Sequence, residues 1–419
     1  MEVIRTNCLS PVSPTEILYL PDHYIIIDNG TITGIRPHLP DDDSSYYIDA
    51  RDCVCIPGLI DIHVHLSQWY ARGKYKPDLI EWLETYIYRE EEKFRDPAYA
   101  RKVAEDFFKA MISQGTTCAV IYVAAFKEAT EQAFQVAEEM GFRTIMGKTM
   151  MDCNCPDFIR EDTETTMQES IELYEKWNGR TPLLDYIFTP RFAPVCSPKL
   201  MRKIASYAKL KNAYIQSHLS ENANELDWVH KLYPEYRNYT DAYAQNDILG
   251  PKTIMAHCIH LTDEEIEVLR QTETKVAHCP DSNFYLKSGM FPHHRLKKNN
   301  IPMALGSDVG AGTTLNMLYH MKMANFRQKT DIILPEEAFY MATLGAARLL
   351  QKETRIGSLE VGKDADLTFI RFDHLMSKTQ EEVISELVFT GHEMPVRFVY
   401  INGIRKYPIE KDASEGIDA

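Results

Sequence analysis

The feature that most constrains this chain is an alternation, sustained through its middle, between short apolar runs and longer segments of helical periodicity. Eight apolar runs can be counted, near 58–63, 118–123, 144–148, 184–188, 213–217, 253–257, 275–277 and 302–306. Segments such as 97–114, 129–140, 198–210 and 263–271 have the length and the three-to-four-residue apolar spacing of amphipathic helices. Strands buried on both faces read as continuous apolar runs, and runs alternating with helices are the pattern of βα units around a parallel sheet. Eight such repeats predict an α/β fold in which a (β/α)8, TIM-like barrel closes on itself.

The two ends have a different texture. Residues 23–28 and 31–35 read as strands joined at Asn29-Gly30, the dipeptide that most favours a two-residue hairpin turn. Residues 366–372 and 397–401 repeat the pattern, the second turning at Asn402-Gly403 before a polar tail expected to fray. A lone hairpin is marginal in water, so both ends are expected to combine into one small β-sandwich. The predicted division is therefore 1–56 and 356–419 for the small β unit and 57–355 for the barrel, which suits 419 residues against the ~250 of a typical barrel.

Charge narrows the partners. A formal net charge of -15, with no basic run to interrupt it, repels phosphate backbones, so a free small molecule is expected rather than nucleic acid. The N-terminus opens Met-Glu-Val-Ile-Arg without a signal pattern, and no stretch approaches the ~18 apolar residues of a membrane helix, which predicts a cytoplasmic protein without a membrane partner. The 9 cysteines are scattered with no C-x-x-C pair, which predicts reduced, buried thiols. The same absence sets aside the cytidine-type deaminase architecture.

His63 and His65 end the first run in Pro57-Gly-Leu-Ile-Asp-Ile-His-Val-His. Positions two apart on a strand share a side, so both imidazoles can face one ion. His-x-His alone is as readily a surface or core pair. Three further candidates, however, close later runs: His218 the fifth, His257 the sixth, and Asp308 just after the eighth. In a closed barrel all strands open their C-terminal ends on one face, so these residues are expected to converge there.

Imidazole and carboxylate suit Zn2+, and Fe2+ is possible on the same donors. His63, His65, His218 and Asp308 are the expected ligands of one divalent cation, which would lower the pKa of bound water from ~15.7 toward ~7. Glu221, three residues past His218, is the expected proton shuttle, and His257 is expected to orient the water and stabilise the charged adduct. Two-metal barrel hydrolases commonly bridge their ions with a lysine from the fourth strand. Here that strand ends Phe188-Thr-Pro-Arg-Phe, which favours a single ion.

The pattern resembles the amidohydrolase superfamily, and within it the branch that deaminates guanine. The resemblance runs through the first His-x-His with Gln68, then Leu79-Ile-Glu-Trp-Leu-Glu-Thr-Tyr, Thr189-Pro-Arg-Phe-Ala-Pro, Gln216-Ser-His-Leu-Ser-Glu-Asn and Leu232-Tyr-Pro-Glu-Tyr. It continues through Met255-Ala-His-Cys, Ala277-His-Cys-Pro-Asp-Ser-Asn and Leu305-Gly-Ser-Asp-Val-Gly. It implies that Gln68 and Arg191 bind polar edges of a purine while Phe192 packs near its face. Fixed guanidinium and amide donors would read the ring acceptors of guanine. It further implies that Asp308 helps protonate the departing amine, that guanine becomes xanthine and ammonia, and that the chain forms a homodimer.

One departure concerns substrate preference: after Glu84-Thr-Tyr the family typically has Thr-Phe-Pro, and this chain has Ile87-Tyr88-Arg89. The competing expectations are deamination of another aminated ring, such as a pterin or a modified purine, and a non-catalytic scaffold on the same fold. Such scaffolds usually lose ligands, and none is lost here.

Overall fold

The computed structural model describes residues 1–39, 47–328, 331–373, 375 and 378–408, so the tail expected beyond Lys406 lies almost wholly outside the described residues. The chain begins with β1 (Glu2–Ser13), β2 (Glu16–Asp28), β3 (Thr31–Arg36) and β4 (Ile48–Pro57). Each of the eight central runs is then a strand: β5 (Leu59–His65), β6 (Thr116–Tyr122), β7 (Arg143–Gly147), β9 (Leu184–Pro190), β10 (Tyr214–Leu219), β11 (Thr253–His257), β12 (Lys275–His278) and β13 (Met303–Leu305). They pair in parallel in sequence order, and the two-residue β8 (Thr149–Met150) adds to β9.

Closure between β13 and β5 relies on a few bonds rather than a full ladder. Asp308 N–H donates to the His63 carbonyl (2.8 Å), His65 N–H to the Val309 carbonyl (2.8 Å), and Ser307 N–H to Asp61 Oδ1 (3.0 Å). Gly306 permits this approach, since a Cβ there would fall 2.7 Å from the Cβ of His63.

The expected helices are present as Pro97–Ser113, Lys127–Met140, Pro198–Lys211 and Asp263–Gln271. The first shows why they form. The Asp96 side chain caps Ala98 N–H, a proline takes the first helical position, and Val103, Ala104, Phe107, Phe108 and Met111 make the buried stripe. Alternate strand positions fill the barrel interior with Ile60, Ile62, Val120, Ile145, Ile187 and Ile254, and Ala346, Ala347 and Leu350 pack against them. The helices cover the outer positions, including Ile121, Met146, Phe188 and Met255. Among the described residues no helix is long and apolar enough to cross a membrane.

β14 (Leu367–Arg371), β15 (Val396–Ile401) and β16 (Ile404–Tyr407) join the first four strands in the order β16-β15-β14-β4-β1-β2-β3. The two ends thus form one small β unit, hydrogen-bonded as a single seven-stranded sheet. Register shifts in β1, β2 and β14 bend it until its hairpin tips meet, enclosing Ile25, Ile32, Cys55, Phe369 and Tyr400 as the filling of a sandwich does. At the meeting point Gly30 has φ +82° and lies so close to Asn402 that a Cβ would sit 2.9 Å from its carbonyl oxygen.

Arg143 ties this unit to the barrel. It starts β7, is 1% exposed, and donates to Asp366 (2.8 Å), Asp364 (2.7 Å) and the Pro182 carbonyl (3.3 Å). All nine cysteines are free thiols, and all but Cys153 are buried.

Candidate metal centre

His63 and His65 reach the barrel mouth through a local irregularity. Ile60 and Ile62 face the interior, so strict alternation would turn His63 and His65 outward. The pairing of β5 with β6 shifts by one residue between Asp61 and Val64; Val64 joins the outer layer and both histidines turn in. His218 continues the inward series Tyr214, Gln216 on β10. His257 ends β11 and Asp308 lies three residues past β13, both in left-handed backbone with φ of +71° and +50°, a conformation uncommon outside glycine.

One ligand atom each from His63, His65, His218 and Asp308 lies within 4.8 Å of all the others. Asp308 Oδ1 is 3.3 Å from Nε2 of both His63 and His65, and the Nε2 atoms of His65 and His218 face each other at 3.2 Å. His218 Nδ1 lies 2.6 Å from the Arg191 carbonyl; donating its proton there leaves the Nε2 lone pair aimed at the shared centre. Burial holds His65 down to about 3 and His218 well below the usual imidazole range, so both are neutral. For Asp308 burial acts upward, but the His63 and His65 imidazoles that face its Oδ1 outweigh it and hold the carboxyl well below its ordinary value. Neutral lone pairs and a carboxylate pointing at one another repel unless a cation lies between them, and this donor set fits a single Zn2+ or Fe2+.

Glu221 is 5% exposed beside this quartet, with Oε2 3.5 Å from His257 Nε2 and Oε1 accepting from Ser288 Oγ at 3.0 Å. Burial, reinforced by the facing Asp308 carboxylate, pushes it up to about 8. His257 Nδ1 is 2.9 Å from the Asn283 amide oxygen, so its protonated nitrogen points there and Nε2 faces Glu221 and, at 3.8 Å, Asp308 Oδ2. Glu225 braces the loop: its Oε2 accepts from the Glu221 N–H at 2.8 Å and its Oε1 from Tyr239 (2.7 Å). Burial and the Glu221 charge raise Glu225 to about 7.

A small pocket opens from the centre, concave and walled mostly by apolar side chains as small-molecule sites are. Gln68, Arg191, Phe192, Glu221, His257 and Asp308 line it, with Leu79, Trp82, Leu83 and Leu286 as apolar walls. Every candidate site residue read from the sequence is thus at one place.

Sequence reasoning missed Glu91, Glu225, Asn283 and Ser288. Asn283 lies in the quoted Ala277-His-Cys-Pro-Asp-Ser-Asn run, and Glu225 occupies the third helical position of a capping box with Asn222, so both had a signal. Glu91 sits in Glu90-Glu91-Glu92, which reads as a solvated charge run. The Ile87-Tyr88-Arg89 departure is helical here: Arg89 points outward over Phe158, while Tyr88 is buried with its ring 5.2 Å from the Arg191 guanidinium.

Comparison with known proteins agrees with this geometry. The amidohydrolase family signature matches residues 54–405. The guanine deaminase of Escherichia coli (strain K12) is 34% identical over 425 residues, covering 96% of this chain and 95% of that protein. The guanine deaminase of Dictyostelium discoideum is 35% identical over 373 residues, covering 85% of this chain and 83% of that one. Among solved structures, the guanine deaminase from C. acetobutylicum with bound guanine in its active site superposes with a TM-score of 0.90 at 30% identity, covering 96% of this chain and 99% of that one. The histidines that end β5 and β10 therefore sit in a signature that runs through most of the sequence, and the chain belongs to the amidohydrolase family.

Proposed function

We propose that this chain hydrolyses guanine to xanthine and ammonia, with one divalent cation held by His63, His65, His218 and Asp308. The observation that carries the reading is the convergence of those four donors beside the buried Glu221 carboxyl. A bound cation, Zn2+ in the simplest case and Fe2+ on the same donors, supplies the positive charge that makes water nucleophilic at neutral pH.

The protein's own groups do the rest. Glu221, held by Ser288, moves a proton from the attacking water to a ring nitrogen. His257, its tautomer set by Asn283, orients the water and stabilises the charge that develops on the ring. Asp308, whose Oδ2 faces His257, helps protonate the departing amine in this reading. Gln68 and Arg191 hold the polar edge of the purine, Phe192 packs near its face, and Trp82 and Leu286 keep bulk water out.

The same reading includes a homodimer in the cytoplasm, and domain limits at 57 and 355. The decisive assay is ammonia release from guanine by protein of measured metal content, with a pterin as competitor. Guanine should win by a wide margin in kcat/KM, and Arg191→Ala should lose most of that margin. No ammonia from guanine with one ion per chain present would overturn the proposal, and less than about one ion per chain would favour a scaffold. Light scattering tests the dimer.

A further inference from the structure

Glu91 belongs to no motif, yet it is 2% exposed and holds both residues assigned to the purine edge. Its Oε2 accepts from Arg191 Nη1 at 2.6 Å, and its Oε1 accepts from Gln68 Nε2 at 3.1 Å, with Ser67 Oγ at 3.5 Å. Gln68 follows β5 and Arg191 follows β9, so one carboxylate bridges opposite parts of the barrel mouth. Glu91 itself does not line the cavity; it stands behind two residues that do.

The chemistry of that bridge has a direction. A carboxylate paired with a guanidinium accepts only, so the Gln68 amide must turn its NH2 group toward Glu91 and its oxygen the other way. Among the described residues, Gln68 Oε1 accepts no hydrogen bond, and no protein acceptor takes the remaining guanidinium N–H groups of Arg191. The cavity is therefore offered one acceptor from Gln68, in place of the amide donor expected from the sequence, beside donors from Arg191.

We infer that Glu91 is a positioning residue that sets substrate specificity by fixing this acceptor-and-donor pair, which matches the adjacent N–H and C=O of a lactam ring and opposes the amine and bare ring nitrogen of an amidine. Guanine has the lactam edge. 2,6-Diaminopurine keeps the same 2-amino group but has the amidine edge, so it meets an acceptor and a donor each facing its own kind. A site built on hydrogen bonds rejects such a mismatch by ~10⁴–10⁵-fold. The inference rests on the proposed guanine reaction.

Glu91→Gln tests it, because a neutral amide can still accept from Arg191 while donating to Gln68, which flips the Gln68 amide and presents its NH2 to the cavity. The kcat/KM ratio for guanine over 2,6-diaminopurine is expected to fall about 100-fold or more, with metal content per chain unchanged. Glu91→Asp keeps the charge opposite Arg191 but is one methylene too short to hold both partners, and should lower the ratio about 10-fold; it decides the matter if Glu91→Gln does not fold. A purely structural role would lower both substrates in proportion, and an unchanged ratio in the folded variants overturns the inference while leaving guanine deamination standing. A wild-type protein that releases no ammonia from guanine removes the proposed function and this inference together.

Discussion

Two buried polar clusters lie at opposite ends of the barrel, and they are built on opposite principles. At the strand starts, Arg143 meets Asp364, Asp366 and a backbone carbonyl at hydrogen-bond distance, so charge and donors are balanced within the protein. At the strand ends, three imidazoles and Asp308 crowd one point, His63 Nε2 has no hydrogen-bond partner, and Glu221 holds its proton to about 8. The first cluster is complete as folded. The second is complete only around a cation and a substrate, and its left-handed His257 and Asp308 are places where the fold accepts local strain to aim a side chain.

If that contrast is right, the two ends should respond differently to the same kind of change. Glu221→Gln should cut turnover about 10²–10⁴-fold while leaving metal content and the unfolding midpoint at or above wild type. Steady-state kinetics beside calorimetry check this, and a large loss of stability would mean Glu221 belongs to the framework. Arg143→Met should do the reverse. The buried Asp366 loses its guanidinium, while Asp364 keeps Arg355, at a cost of about 3–5 kcal/mol, and turnover per folded chain stays at the wild-type value. A denaturant titration with parallel assays would break the comparison if activity fell instead.

The pH response of protein stripped of divalent ions is a weaker but sharper probe. Glu225 and Glu221 titrate in the folded state at about 7 and about 8, against 4.5 when unfolded. Folded carboxyls with raised values stabilise fully below about pH 4.5, and that stability is lost as pH rises through about 7 and then about 8. Below about pH 6.5 the depressed His65 and His218 act in the opposite sense, so the unfolding midpoint of the stripped protein should fall between roughly pH 6.5 and 8.5, and Glu221→Gln should flatten the upper part of the decline. A midpoint rising over that window would contradict the burial of these groups. The smallest effect is expected at Ser288→Ala, which removes one hydrogen bond from Glu221: about 0.5–1.5 kcal/mol, or roughly a two- to tenfold loss of kcat. No change at all would mean that Ser288 does not hold the proton shuttle.

The sequence alone determined much of this. All eight barrel strands, four of the helices and the two Asn-Gly hairpin turns were legible, because burial on two faces, amphipathic spacing and turn chemistry are local properties written in consecutive residues; the helix Thr163–Trp177 was not among them. The site was legible for a related reason: a barrel sends every strand end to one face, so His218 and Asp308 could be placed with His63 and His65 without coordinates.

What the tertiary structure decided is everything that depends on a neighbour distant in sequence. Alternation put His63 and His65 on one side of β5 but could not say which; the shift against β6 turned them inward. Glu91 looked like a solvated residue within an acidic run until Gln68 and Arg191, 23 and 100 positions away, were brought to its two oxygens. The two ends were expected to meet, but the bends that curl them into one sheet arise from pairing registers, not from residue types. Strand and helix periods are set by bonds a few residues long, whereas side-chain direction and partner choice are set by packing across the fold, and specificity at this site rests on the latter.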